Sequence, residues 1–126
     1  KENTDVMYVL GKAYYHMGYY YSELAIRYLD QALERGCDNK DIYEYLGLSY
    51  SRLDMWNQAV ENFERSLEIN PSDVLVLTLA QEYIKAGNMD KAGYYLDRAS
   101  DDNSVLKEKS LLLRGQRHLW HGGTDL

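Results

Sequence analysis

The sequence predicts an all-α protein built from repeated pairs of helices. It has one proline in 126 residues, and its apolar residues recur at intervals of three and four, the period of an amphipathic helix. One pattern occurs three times: an apolar residue is followed directly by a small residue, and a tyrosine comes three positions after the small one. The pattern begins at Leu10, Leu46 and Leu79. The intervals between these leucines are 36 and 33 residues. The chain therefore repeats a unit that is long enough for two helices.

Turn and capping signals give the approximate bounds of each helix. In chain order, we predict helices at 4–17, 22–35, 40–53, 57–69, 73–86 and 89–100. A serine or asparagine directly before an apolar run can cap a helix with its side-chain oxygen, which predicts N-caps at Ser22, Ser72, Asn88 and Ser104. Pro71 suits a chain that leaves one helix before the next begins. A seventh helix is predicted at 105–121, where it covers the apolar face of the third helix pair or forms the first half of a truncated repeat.

Small residues recur where the two helices of each pair are expected to cross. The first helices carry Gly11, Gly47 and Ala80, and the second helices carry alanines at intervals of 34 and 33 residues, namely Ala25, Ala59 and Ala92. Small side chains allow two helix backbones to approach closely, and larger neighbours then fill the space beside them. The expected larger neighbours are Tyr14, Tyr50, Tyr83, Leu29, Phe63 and Leu96.

These positions resemble the tetratricopeptide repeat (TPR) family over residues 4 to 121. The middle unit carries the resemblance best, through Tyr43, Leu46, Gly47, Tyr50, Trp56, Ala59, Phe63, Leu67 and Pro71. The first unit has two extra residues in its turn, within Gly18 to Tyr21, and the third unit lacks the terminal proline. The resemblance implies a right-handed solenoid of antiparallel helix pairs with seven helices.

The expected organisation is a single domain over 1–126. Its repeat units are 4–39, 40–72 and 73–104, followed by the capping or truncated-repeat helix 105–121. The chain starts at Lys1 rather than Met, so we expect it to be a fragment of a longer protein.

Composition argues against several classes of function. The 14 Lys and Arg against 20 Asp and Glu give a net charge of −6, which disfavours binding to nucleic acid or anionic lipid. Cys37 has no second cysteine to pair with, and His118 and His121 lack a third metal ligand nearby. No phosphate loop, nucleophile elbow or other catalytic motif is present, and no apolar run is long enough to insert into a membrane. We therefore expect a soluble, cytoplasmic protein that is not an enzyme and binds no cofactor or metal.

The resemblance implies that another protein binds to the concave groove lined by the first helix of each pair. Carrying the register from unit to unit gives the candidate groove residues Tyr8, Lys12, Tyr15, His16, Glu44, Leu48, Arg52, Leu77, Gln81, Ile84, Lys85, Leu112, Gln116 and Trp120. His16, Arg52 and Lys85 are expected to form a cationic row that would meet carboxylates of a bound peptide or helix. The expected role is that of a scaffold, adaptor or assembly factor. The alternative is a structural or self-associating segment that packs through tyrosine-rich outer faces, including Tyr19 to Tyr21, Tyr94 and Tyr95.

Overall fold

The protein is described by a computed structural model for residues 2–99, with side chains from Thr4 onward. In this part of the chain the structure has six α-helices and one short 3₁₀ helix. The α-helices are α1 (Glu2–His16), α2 (Ser22–Glu34), α3 (Ile42–Arg52), α4 (Trp56–Ile69), α5 (Asp73–Ala86) and α6 (Met89–Ala99). The predicted all-α fold is confirmed for residues 2–99, whereas the helix predicted at 105–121 and the cap at Ser104 lie outside the described residues.

The helices pack as three pairs, α1 with α2, α3 with α4 and α5 with α6. The chain divides into two compact units, one ending at Asn70 and the other beginning at Pro71. Unit 1 contains the first two pairs, and within it α3 contacts both α1 and α2. Unit 2 contains α5 and α6. The right-handed solenoid and the single domain over 1–126 stay predictions.

Small residues lie at the helix crossings of unit 1, as predicted. A Cβ atom on Gly11 would lie 2.6 Å from the side chain of Leu29, and one on Gly47 would lie 2.7 Å from the ring of Phe63. Both distances are below van der Waals contact, so each crossing is close enough to require glycine. Ala25 and Ala59, on the second helices, are fully buried.

Two of the three predicted N-caps in the described residues are confirmed. The Ser72 hydroxyl accepts a hydrogen bond from the Leu75 amide at 3.4 Å, and Asn88 Oδ1 accepts one from the Lys91 amide at 3.1 Å. The prediction for Ser22 was wrong, because the 3₁₀ helix Tyr19–Tyr21 leads directly into α2 and Ser22 already has helical torsion angles. Its buried hydroxyl makes no hydrogen bond among the described residues.

The turns between paired helices differ within unit 1. The surplus residues of the first turn form the 3₁₀ helix Tyr19–Tyr21, which is entered through Gly18 at φ +112°. In the second turn Asp54 adopts the left-handed conformation at φ +58°, and the Met55 amide donates to the Tyr50 carbonyl at 3.0 Å. This bond closes the C-terminus of α3 in the manner usually associated with a glycine.

Candidate functional site

The first helices of the two pairs in unit 1, α1 and α3, share a face on which cationic and aromatic side chains alternate. Lys12 extends from α1 with its Nζ 5.2 Å from the ring centroid of Tyr8 and 5.3 Å from that of Tyr45. A lysine ammonium at this distance from two rings is attracted to their electron-rich faces. Lys12 is half-buried, so its position is set by both helices.

Arg52 makes the closest contact between a cation and a ring on this face. Its guanidinium carbon lies 3.8 Å from the Tyr15 ring centroid, and its Nη1 donates a hydrogen bond to the Tyr15 carbonyl oxygen. The planar guanidinium therefore stacks on the ring and closes the C-terminal end of α1, where carbonyl groups lack helical partners. Arg52 nevertheless remains partly exposed.

Tyr45 and His16 complete the arrangement. The Tyr45 ring meets the Tyr15 ring edge-on at 5.4 Å, and the exposed His16 ring lies 5.1 Å from Tyr15 and 5.7 Å from Tyr45. Lys12, Tyr15, His16, Tyr45 and Arg52 are hereafter the cation–aromatic cluster. It places three basic side chains on one face of an acidic chain.

Tyr45 was not among the predicted groove residues, which on α3 were Glu44, Leu48 and Arg52. Tyr45 lies three residues before Leu48 and seven before Arg52, so the helical period does place it on the same face. Burial raises the pKa of the Tyr45 hydroxyl above its usual value, with smaller contributions from Asp41, Glu44 and Tyr15. The hydroxyl therefore stays neutral at physiological pH and can donate a hydrogen bond.

Tyr8 lies in the core, beneath the cation–aromatic cluster. It packs with Leu29, Ala32, Ile42 and Leu46, and its hydroxyl has no hydrogen-bond partner among the described residues. Desolvation, followed by the charge of Asp41, raises the pKa of Tyr8 to about 12. Tyr8 is thus part of the core beneath the cation–aromatic cluster and does not line an open groove.

Glu44 and Leu48 border the cluster on α3. Glu44 is largely exposed, but partial desolvation of its carboxyl group, followed by the charge of Asp41, raises its pKa. Leu48 is half-buried and supplies apolar surface between Tyr45 and Arg52 along the helix. An occupant of this face would therefore meet basic groups, aromatic rings and a short apolar strip, with the Glu44 carboxyl group at the border.

The predicted groove residues of unit 2 differ in exposure. Leu77 and Ile84 are buried, whereas Gln81 and Lys85 are exposed. The Lys85 ammonium pairs with the Glu82 carboxylate at 3.2 Å. His16 and Arg52 belong to unit 1 and Lys85 to unit 2, so the predicted cationic row stays a prediction. The remaining groove candidates Leu112, Gln116 and Trp120 lie outside the described residues.

Tyrosines also cluster on the other side of the first helix pair. The ring of Tyr14 stacks on those of Tyr21 and Tyr28, with centroids 5.9 and 5.5 Å apart. The Tyr20 side chain, in the adjoining 3₁₀ helix, is 93% exposed. In unit 2, by contrast, Tyr95 is buried and stacks on Tyr83. Of the predicted outer-face tyrosines, Tyr19 to Tyr21 and Tyr94 are therefore exposed, whereas Tyr95 is not.

Two negative findings apply to residues 2–99. Within this range no group of three or more His, Cys, Asp or Glu side chains is arranged to hold a metal ion. Nor does any helix in the same range combine the length and apolar character needed to cross a membrane.

Comparison with known families supports the interpretation of the repeats. The tetratricopeptide repeat family model matches residues 41–73, which cover α3, the Asp54 turn and α4. Together with the repeated helix pairs, this match supports an assignment to the tetratricopeptide repeat family. A search of curated proteins found no match to the chain. Repeats of this family generally mediate protein–protein interactions.

Proposed function

We propose that this chain is a protein-interaction module that binds an acidic segment of another protein on the α1–α3 face of unit 1. The observation that carries the proposal is the cation–aromatic cluster. It gathers Lys12, His16 and Arg52 around two tyrosine rings, although the chain as a whole carries a net charge of −6. A local basic site on an acidic protein favours a partner with carboxylates at matched positions.

The cluster is preorganised for such a partner. Arg52 is already held by the ring and the carbonyl group of Tyr15, so binding would immobilise less of its side chain than that of a free arginine. The ordering of each flexible side chain at an interface costs about 0.5–1.5 kcal/mol. Arginine and tyrosine are also the residue types that contribute most to binding at protein interfaces.

A partner segment with carboxylates only would make no contact with the apolar part of this face. Tyr45 and Leu48 are both half-buried, and each presents apolar surface beside the basic groups. An aromatic or aliphatic side chain flanked by aspartate or glutamate would contact both kinds of surface. The partner segment is therefore a short amphipathic peptide or helix, bound by a scaffold, adaptor or assembly factor.

Self-association through the outer tyrosines is the second candidate function. It is favoured by the exposure of Tyr20, whose ring is almost entirely in solvent, next to the stacked rings of Tyr14 and Tyr21. Tyrosine is enriched at interfaces because its ring buries a large area while its hydroxyl keeps a polar partner.

Selection from a displayed library of short random peptides, with the full chain as bait, tests the proposed function. We expect enriched peptides to carry aspartate or glutamate next to an aromatic or aliphatic residue. Bound peptide should shift the NMR side-chain signals of Tyr15, Tyr45 and Arg52. Enrichment of basic peptides, or shifts confined to Tyr20 and Tyr21, would contradict the proposal. A dimer in sedimentation experiments that is lost in Tyr20→Ala would support the second candidate.

A further inference from the structure

His16 is the basic member of the cation–aromatic cluster whose charge can change near neutral pH. Its ring is exposed, and it meets the ring of Tyr15 edge-on at 5.1 Å and that of Tyr45 edge-on at 5.7 Å. Histidine is the side chain whose ordinary titration falls between about pH 5 and 8, whereas lysine and arginine ordinarily keep their charge across that range. The number of positive charges in the cluster therefore depends on pH through His16.

The other two basic groups of the cluster lie near His16, across the same tyrosine rings. The Tyr15 centroid is 5.1 Å from the His16 ring and 3.8 Å from the Arg52 guanidinium carbon, and the Tyr45 centroid is 5.7 Å from the His16 ring and 5.3 Å from the Lys12 ammonium. The His16 ring is thus at most about 9 Å from the guanidinium and about 11 Å from the ammonium, close to the screening length of about 8 Å at physiological salt. A carboxylate bound among these groups therefore interacts with all three.

The helices around His16 also carry charged groups of both signs. On α3, Asp41 and Glu44 both act on the Tyr45 hydroxyl. The first half of α2 carries Glu23 and Arg27, and the 3₁₀ helix adds tyrosine side chains. The carboxyl groups of α1 are at least 11 residues before His16, which is about 16 Å along a helix. Among residues 2–99, His16 forms no ion pair with any of these carboxylates, so a bound partner is left to supply one.

From this arrangement we infer that an acidic partner bound at the cation–aromatic cluster causes uptake of a proton at His16, so that its affinity rises as the solution becomes mildly acidic. The inference rests on the proposed function and adds the regulation of that site. A carboxylate bound beside Arg52 favours the charged form of the imidazole. Because coupling between two binding events is reciprocal, the protonated ring in turn favours the carboxylate.

Glu44 is a second titratable group whose protonation would act in the same direction. Partial desolvation and then the charge of Asp41 raise the pKa of its carboxyl group. Protonation of Glu44 removes a negative charge from the border of the cluster, and this loss of repulsion also favours an acidic partner. Glu44→Gln removes this contribution and retains His16, so the variant separates the two groups.

Calorimetric titration of the full chain with the most enriched acidic peptide from the library selection tests the inference. We expect affinity to rise about two- to fivefold from about pH 7.5 to about pH 5.5, the factor that corresponds to one ion pair at an exposed site. Titrations in two buffers with different enthalpies of ionisation should show proton uptake on binding. Near pH 6.5, added peptide should shift the NMR signals of the His16 ring toward those of the protonated form.

Three variants assign the proton. His16→Asn should remove both the rise in affinity and the proton uptake. Glu44→Gln should keep both effects. A chain with His118→Asn and His121→Asn, which changes the other two of the three histidines, should keep both effects as well and serves as the matched control.

An equal rise in affinity for the natural chain and a folded His16→Asn chain would overturn the inference and leave the proposed function in place. So would affinity that does not change with pH. A rise that is lost in Glu44→Gln and kept in His16→Asn would assign the proton to Glu44 instead. Failure of every acidic peptide to bind at any of these pH values would overturn the proposed function and the inference together.

Discussion

Helices α1 and α3 occupy the same place in successive pairs, yet their outer faces have opposite environments. Both cross their partners at a glycine, Gly11 or Gly47, against which a large side chain packs. Ile42 and Leu46 on α3 are buried, whereas the residues 36 positions earlier on α1, Val6 and Leu10, are exposed. The difference teaches that close contact within a pair depends on local sequence, whereas burial of the outer face depends on the neighbouring pair.

Lysine substitutions at the equivalent residues Leu10 and Leu46 should give the largest difference between α1 and α3 in the loss of stability. Leu46→Lys places a charge in the core formed with Tyr8 and Leu29, so we expect a loss of about 4 kcal/mol or more in the free energy of unfolding. Leu10→Lys leaves its ammonium in solvent and should cost less than about 1 kcal/mol. Urea denaturation of both variants measures the contrast. Equal losses would mean that the α1 face is covered in solution.

The crossing glycines should instead respond alike. Leucine at Gly11 would collide with Leu29, and leucine at Gly47 with Phe63, so each substitution should cost roughly 1–3 kcal/mol through overpacking. Thermal melts compared at a common temperature check this, with Ala13→Leu on the exposed side of α1 as the control. A change of only a few tenths of a kcal/mol in stability for the Gly11 or Gly47 variant would show that the helices do not cross at that glycine.

Tyr8 and Glu44 also occupy equivalent positions, but only Tyr8 is buried. The pKa of Tyr8 is raised to about 12 from 10.0, so between pH 10 and 12 its hydroxyl ionises in the unfolded chain before it does so in the folded one. Stability present below pH 10 is thus lost as pH rises, by at most about 1.4 kcal/mol per pH unit. Tyr8→Phe should remove this part of the alkaline loss and change stability at pH 7 by less than about 1 kcal/mol. Parallel alkaline denaturation curves for both chains would contradict the burial of the hydroxyl.

The two turns of unit 1 should give the smallest effects. Asp54→Gly relieves the left-handed conformation at φ +58° but increases the freedom of the unfolded chain, so we expect a net gain between zero and about 1 kcal/mol. Gly18→Ala should be destabilising by about 1 kcal/mol, because φ +112° is strained for any residue with a Cβ atom. Differential scanning calorimetry on both variants distinguishes these signs.

Much of the fold could be predicted because the repeats are marked by local signals. The period gave three helix pairs, the bounds of α5 were correct at 73–86, and Ser72 and Asn88 cap their helices through short-range bonds. Ser22 was predicted wrongly because its role depends on the 3₁₀ turn before it, which the extra residues Gly18 to Tyr21 did not reveal.

The candidate site was harder to predict than the fold. Placing residues on a face requires only the helical period, and Lys12, Tyr15, His16 and Arg52 do lie near one another within unit 1. Whether a side chain is open or covered depends on contacts between helices that are distant in sequence. For this reason the sequence did not predict that Tyr8 is buried beneath Lys12, or that Val6 and Leu10 on α1 are exposed.

The central claim, that the cation–aromatic cluster binds acidic protein segments, is tested most directly by calorimetric affinities for one peptide selected on the chain. Arg52→Glu should weaken binding at least about tenfold, and affinity for the unaltered chain should fall as salt rises. Arg52→Lys should retain part of the affinity. Arg27→Glu makes the same charge change on the exposed side of α2 and should alter affinity less than about twofold. Full affinity in a folded Arg52→Glu chain, or an equal loss in Arg27→Glu, would contradict the account.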